Sequence, residues 1–196
     1  MAVPSGTAVV VPVKAFDVAK ERLGAVLGAA ERAALAERLA SGVVTRALGT
    51  SRPVLVVCDD GATAAWAASL GAEVLRQSGR GLDAAANEAR AHLRGRAHRL
   101  AVVHADLARP SGLAALIDGA ERELGATLVP DHRRDGTPVL VVPVDAPFVF
   151  AYGPGSFGRH CREAERLGLG PHVVDDSLLG TDVDVPEDLA ALDGGD

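Results

Sequence analysis

The sequence predicts an α/β fold, a mainly parallel sheet flanked by helices with a small antiparallel addition. Short runs of β-branched residues recur along the chain, and segments with apolar residues at helical spacing separate them. In the last third this alternation gives way to two strands on either side of a polar loop. Strand–helix alternation of this kind implies βαβ units with right-handed crossovers.

Residues 8–13, Ala-Val-Val-Val-Pro-Val, read as a strand buried on both faces and ending at Lys14. Leu35, Leu39, Val43 and Leu48 recur at helical spacing through residues 31–48, which Gly49 and Pro53 close. Residues 54–58 form a second strand running into Asp59-Asp60-Gly61, and 62–70 a helix with Gly71 as its cap. A short strand at 73–75, a glycine loop at 79–81 and a helix at 82–93 repeat the pattern. The strand at 100–103 ends in His104-Ala105-Asp106, and residues 111–124 supply the next helix. Strands at 127–129 and 139–142 flank the polar loop 131–136 and make the antiparallel addition. Gly153-Pro154-Gly155 leads into a helix at 156–167, followed by a strand at 172–174 and a short helix at 186–192 with Pro in its first turn. One domain spans residues 1–196, with its core at about 8–192 and frayed ends at 1–7 and 194–196.

Composition narrows the function. Of 196 residues 26 are acidic and 20 basic, a net charge of −6 that disfavours a polyanionic partner, and 3% aromatic content is too low for base-stacking platforms. Nucleic acid is therefore not an expected partner. No apolar run reaches the roughly 20 residues of a membrane span, and the first residues lack the cationic start of a signal peptide, so the expectation is a cytoplasmic protein with no membrane contact. Cys58 and Cys161 stand far apart with no metal-site spacing, which points to two reduced thiols. Only two of the 20 basic residues are lysines, and both, Lys14 and Lys20, fall in one stretch behind the first strand.

Ligands of an open parallel sheet bind beyond the carboxyl ends of its strands. The polar residues there are Lys14, Asp59 with Asp60, Asp106, and the Asp182-Val183-Asp184 pair. Lys14, Lys20 and Arg22 place three cations on one loop, which suits a triphosphate or equally a solvated face; the loop lacks the P-loop pattern. Asp106 is a candidate Mg²⁺ ligand or a turn carboxylate, and alternation lets Asp182 and Asp184 point one way. Gly153 to Ser156 open a helix, where backbone N–H groups favour an anion, although Ser156 also fits an ordinary N-cap. Asp135-Gly136-Thr137 reads as a turn, and His104 and His132 read as structural.

In their order along the chain, Pro12-Val13-Lys14, Ala19-Lys20-x-Arg22-Leu23, Ala105-Asp106-Leu107, Asp135-Gly136-Thr137, Gly153-Pro154-Gly155-Ser156-Phe157 and Asp182-x-Asp184-x-Pro186-Glu187-Asp188-Leu189 carry a resemblance. The chain resembles the 2-phospho-L-lactate or phosphoenolpyruvate guanylyltransferases of coenzyme F-420 biosynthesis, over nearly its whole length. The resemblance implies a single-domain Rossmann-like nucleotidyltransferase fold of the molybdenum-cofactor guanylyltransferase type. It implies transfer of GMP from GTP to a small phosphorylated three-carbon acid, with release of pyrophosphate. Lys14, Lys20 and Arg22 would hold the GTP phosphates and, with Asp106, form the catalytic set. Asp106, Asp182 and Asp184 would hold Mg²⁺, and Thr137, Gly153 and Ser156 the acceptor. A homodimer stays open, as do another acceptor or nucleotide (molybdopterin or a sugar phosphate) and a noncatalytic nucleotide-binding module on the same fold. Three positions depart from the family pattern: Asp83 and Pro138 where it has Asn, and Ala108 where it has Pro.

Overall fold

The computed structural model describes residues 6–192. Its strands are β1 (Thr7–Pro12), β2 (Val54–Cys58), β3 (Glu73–Arg76), β4 (Arg99–Val103), β5 (Ala126–Val129), β6 (Val139–Pro143) and β7 (Pro171–Val173). The helices are α1 (Ala29–Leu48), α2 (Gly61–Ser69), α3 (Gly81–Leu93), α4 (Leu113–Ala120) and α5 (Ser156–Arg166). Thr7 begins β1, so the expected fraying does not reach it; residues 1–5 and 194–196 of that expectation lie outside the described residues.

The strands form one seven-stranded sheet in the order β3-β2-β1-β4-β6-β5-β7. Pairing is parallel from β3 to β4, antiparallel on both sides of β6, and parallel again between β5 and β7. The antiparallel addition is thus a single reversed strand inside the sheet. β1 lies between β2 and β4, where the winding changes direction, so the crevice beyond the β1 and β4 ends is the natural ligand position.

Alternation along the central strands fills two cores. Val9, Val11, Val56, Ala101, Val103 and Val141 pack with Val43 of α1 and Ile117 of α4 on one face. Ala8, Val10, Val57, Leu100, Val102 and Leu140 pack with Ala86 of α3 and Ala164 of α5 on the other. Each central strand is buried on both sides, the reason its sequence reads as a continuous apolar run. A smaller cluster of Leu23, Leu35, Leu39 and Val183 pins the loop behind β1 and the Asp182 segment to α1.

Two helices depart from their expected bounds. α1 begins at Ala29 because Glu31 reaches back to accept the Gly28 N–H at 2.7 Å, satisfying an orphan donor of the first turn. α4 covers only part of the expected 111–124. Pro110–Gly112 is a 3-10 turn, and the Arg99 guanidinium takes the carbonyls of Glu123 and Gly125 at 3.0 and 2.5 Å, bonds that stand where further helix would run.

Candidate active site

The loop behind β1 makes two 3-10 turns, Phe16–Val18 and Glu21–Leu23, before α1. Lys20 sits between them in the left-handed region at φ 57°, a conformation that costs a non-glycine residue about 1 kcal/mol or more and collects at functional sites. Its buried ammonium reaches Asp106 Oδ2 at 2.5 Å and Asp184 Oδ1 at 3.7 Å. Arg22, more exposed, donates to Asp184 Oδ2 at 2.9 Å. Lys14, exposed, completes the cationic side of a cavity of about 420 Å³ whose lining also includes His104, Asp106, Asp182 and Asp184. The structure therefore gathers Lys14, Lys20, Arg22, Asp106, Asp182 and Asp184 around one opening.

Asp182 arrives by an antiparallel bridge to Leu107, held by hydrogen bonds from Val183 N to Asp106 O (3.1 Å) and from Ala108 N to Thr181 O (2.8 Å). A proline at position 108 would lack that second donor, so this departure from the family pattern adds a fastening to the Asp182 segment. Val183 points into the core while Asp182 and Asp184 both line the cavity, as alternation predicts. Val185 offers no cap to the turn that follows, and Asp188 reaches back instead, accepting the N–H groups of Asp184 (2.8 Å) and Val185 (2.9 Å).

The carboxylates divide. Ligand atoms of His104, Asp106 and Asp182 lie within 4.8 Å of one another, whereas the Asp184 carboxylate is turned to Arg22 and Lys20. Burial pushes the Asp106 carboxyl up, but the Lys20 ammonium, His104 and the hydrogen bonds the carboxylate accepts together bring it below the usual carboxylate range. Asp182 is pushed above that range by burial first and then by the Asp106 charge. The sequence reads His104 as structural, yet its buried Nε2 has no hydrogen-bond partner among the described residues. An unpartnered imidazole nitrogen beside two carboxylates fits a divalent cation. The signal available in the sequence was its place one residue past β4, two before Asp106.

A second cavity, of about 840 Å³, adjoins the first and shares Pro12, Val13, Lys14 and Leu82 with it. Val57, Asp59, Gln77, the glycine loop and Ala85 line the remainder. Asp59 therefore faces a cavity, while Asp60 is the N-cap of α2, accepting Thr63 N at 2.8 Å.

Thr137, Gly153 and Ser156 lie elsewhere, and none lines either cavity. The Thr137 and Ser156 hydroxyls are buried and face each other at 3.4 Å. His160 Nε2 accepts the Ala151 N–H at 3.0 Å, which leaves Nδ1 protonated to donate to Thr137 Oγ1 at 3.0 Å. Ser156 is the first residue of α5 and Gly155, at φ 73°, the N-cap, so the Ser156 hydroxyl does not cap the helix. Asp135 performs that task, accepting Gly155 N on its carboxylate at 2.9 Å and Phe157 N on its carbonyl at 3.0 Å. The two remaining departures join this region to its surroundings: Asp83 accepts Tyr152 N at 2.7 Å, a role an Asn oxygen would also fill, and Pro138 O accepts His104 N at 2.9 Å. His104 thus stands between the cavity and the Thr137 region, 5.6 Å from Tyr152 between ring centroids.

Residues 7–193 match the family described as "Guanylyl transferase CofC like". The chain is 42% identical over 188 residues to the phosphoenolpyruvate guanylyltransferase of Rubrobacter xylanophilus, covering 94% of this chain and 92% of that protein. It is 29% identical over 192 residues to the 2-phospho-L-lactate guanylyltransferase of Methanothermobacter thermautotrophicus, covering 95% and 83% respectively. Among solved structures, a 4-diphosphocytidyl-2C-methyl-D-erythritol synthase from Anaerococcus prevotii superposes with a TM-score of 0.64 at 9% identity over 96% of this chain and 97% of that one. A CMP:2-keto-3-deoxy-manno-octonic acid synthetase gives 0.62 at 13% identity over 95% and 96%. At those identities the likeness is one of fold, that of the nucleotidyltransferases.

Proposed function

The chain belongs to the CofC-like guanylyl transferases, and from that membership we propose that it transfers GMP from GTP to phosphoenolpyruvate, releasing pyrophosphate, as a step of coenzyme F-420 biosynthesis. Phosphoenolpyruvate is favoured over 2-phospho-L-lactate because relatives at 42, 32 and 38% identity across more than nine-tenths of this chain carry its name. The observation that carries the reading is the convergence of Lys14, Lys20 and Arg22 with Asp106, Asp182 and Asp184 on one cavity at the β1–β4 crevice.

In this reading a phosphate oxygen of the acid attacks the α-phosphorus of GTP in line, the new P–O bond forming as the bond to the β-phosphate bridging oxygen breaks. Lys14 has no carboxylate partner among the described residues and is available to the triphosphate at once. Lys20 and Arg22 turn from Asp106 and Asp184 towards the phosphates as these enter, so the cations exchange one set of oxygens for another. The second cavity, reached past Lys14, takes the nucleoside. Asp106 and Asp182 would hold a divalent cation, Mg²⁺, with His104 beside them and Asp184 keeping the Lys20–Arg22 loop in register. The cation supplies charge neutralisation at the reacting phosphates. Thr137, Gly153 and Ser156 receive the acid, with the hydroxyls oriented by His160. Among the described residues no helix is long and apolar enough to cross a membrane.

Pyrophosphate release with each nucleoside triphosphate against phosphoenolpyruvate, 2-phospho-L-lactate, molybdopterin and a sugar phosphate tests the proposal. Release confined to GTP with phosphoenolpyruvate is expected. Release with another nucleotide or acceptor, or nucleotide binding without release, overturns it.

A further inference from the structure

The carbonyls of the loop that carries Gly153 are held by one side chain from the helix behind it. Arg159, in the first turns of α5, donates Nε to Ala151 O (3.1 Å) and Nη1 to Pro154 O (2.6 Å). Its Nη2 donates to the carbonyls of Ala151 (2.9 Å), Tyr152 (3.2 Å) and Gly153 (3.3 Å). A single guanidinium thus gathers the carbonyls of four successive residues. Gly155 leaves room for it: a Cβ at that position, which already has φ +73°, would stand 3.2 Å from Arg159 Nη1.

With the carbonyls turned to Arg159, the amides of the same loop can be accounted for one by one. Ala151 N goes to His160, Tyr152 N to Asp83, Gly155 N to Asp135, Ser156 N to Gly153 O and Phe157 N to Asp135 O, while Pro154 has none. Only the Gly153 N–H is unspent among the described residues, and Gly153 is exposed. Arg159 also forms no ion pair with an Asp or Glu among the described residues. Its full positive charge is met by carbonyl dipoles alone, in a half-buried position where screening by solvent is weak.

We propose that Arg159 is a positioning residue for the acceptor, fixing the loop with the Gly153 N–H as its free donor and setting an uncompensated positive charge behind it. Such a loop selects an anionic group, the carboxylate or phosphate of a small acid, over a neutral one of the same shape. The inference rests on the reading that Gly153, Thr137 and Ser156 hold the acid. Sequence alone offers neutral donors there; the structure adds a charge.

Steady-state pyrophosphate release, with GTP saturating and phosphoenolpyruvate varied and then the reverse, tests it in Arg159→Lys and Arg159→Gln. Lysine keeps the charge but cannot bind the carbonyls as a fork, and glutamine loses both. The KM for the acid should rise a few-fold in Arg159→Lys and about ten-fold or more in Arg159→Gln, with the KM for GTP within two-fold of wild type. Raising ionic strength should increase the acid KM of wild type and Arg159→Lys more than that of Arg159→Gln, a difference that a purely structural residue would not produce. An unchanged acid KM in either folded variant, or a parallel rise in the KM for GTP, overturns the inference. If Arg159→Gln does not fold, Arg159→Lys decides by the same two KM values. Wild-type protein that releases no pyrophosphate with any acid instead removes the functional reading on which the inference rests.

Discussion

The crevice at the ends of β1 and β4 and the buried contact between the turn before β6 and the start of α5 are held together in opposite ways. In the first, ion pairs dominate: the buried Lys20 ammonium to Asp106 and the exposed Arg22 to Asp184. In the second, neutral hydroxyls, a buried imidazole and backbone amides are joined by hydrogen bonds with almost no exposure to solvent. The exposed Arg22–Asp184 pair is worth little in water, and the buried Lys20 ammonium needs an anionic partner that an incoming phosphate can supply in place of Asp106. A satisfied buried network is expensive to disturb. One half is arranged to change partners when ligand arrives, the other to stay as it is.

The sharpest break of this contrast comes from Asp106. Asp106→Asn removes a carboxylate from the His104–Asp106–Asp182 trio and also leaves the buried Lys20 ammonium without its main partner. Turnover should fall by about a thousand-fold or more, measured as pyrophosphate release, with a lower melting temperature as a secondary effect. Activity close to wild type would mean that the crevice does not hold the metal.

The second test belongs to the buried half and reads stability. Burial, and then the Arg159 charge, draw the His160 pKa down to about 4, so the ring is neutral in the folded protein. The unfolded chain, with an ordinary histidine, binds the extra proton first as pH falls. His160 therefore leaves stability intact above about pH 6.5 and removes up to about 3 kcal/mol as pH falls from there towards 4. Melting curves of wild type and His160→Gln between pH 7.5 and 4.5 should show the steeper decline in wild type; parallel curves would show that His160 is not buried as a neutral ring.

Smaller effects follow on the exchangeable side. Lys14→Ala should lower kcat/KM for GTP by about thirty-fold and leave the melting temperature unmoved, since Lys14 is exposed and unpaired among the described residues. Smallest of all is Asp184→Asn, which frees Arg22 and loosens Lys20 without touching the trio, for about a few-fold change in KM for GTP. A collapse of activity in Asp184→Asn equal to that of Asp106→Asn would place Asp184 on the metal after all.

The sheet was legible because each central strand is buried on both faces and so advertises itself as a short apolar run. Its reversed member was legible too, from the polar turn at 131–136. Strand ends likewise exposed Lys14 and Asp106, since position after a buried run is a local property. What escaped was pairing at long range. That Lys20 would lie on Asp106, 86 positions away, or that Arg99 would take the carbonyls at the end of α4, has no local signature. His104 has no local signature for the same reason: a histidine acquires meaning only from the carboxylates the fold brings to it, and one of those arrives from Asp182 across an isolated bridge. Asp135 read as a turn residue, and only the fold shows it capping a helix 20 positions on.

Reversal of β6 has a consequence for how such an enzyme could diversify. A strand running against its neighbours presents its first residues, not its last, at the rim where the parallel strands finish, so Thr137 and Pro138 come to lie beside His104. Everything assigned to the acid then falls within one continuous stretch, from the turn before β6 to the start of α5, and the residues assigned to the triphosphate and metal fall outside it. In the proposed reading this stretch carries the choice of acid, and the rest of the chain carries the choice of nucleotide. Transplanting residues 130–160 between relatives that use different acids is the natural route to a hybrid with a new acceptor and an unaltered taste in nucleotides.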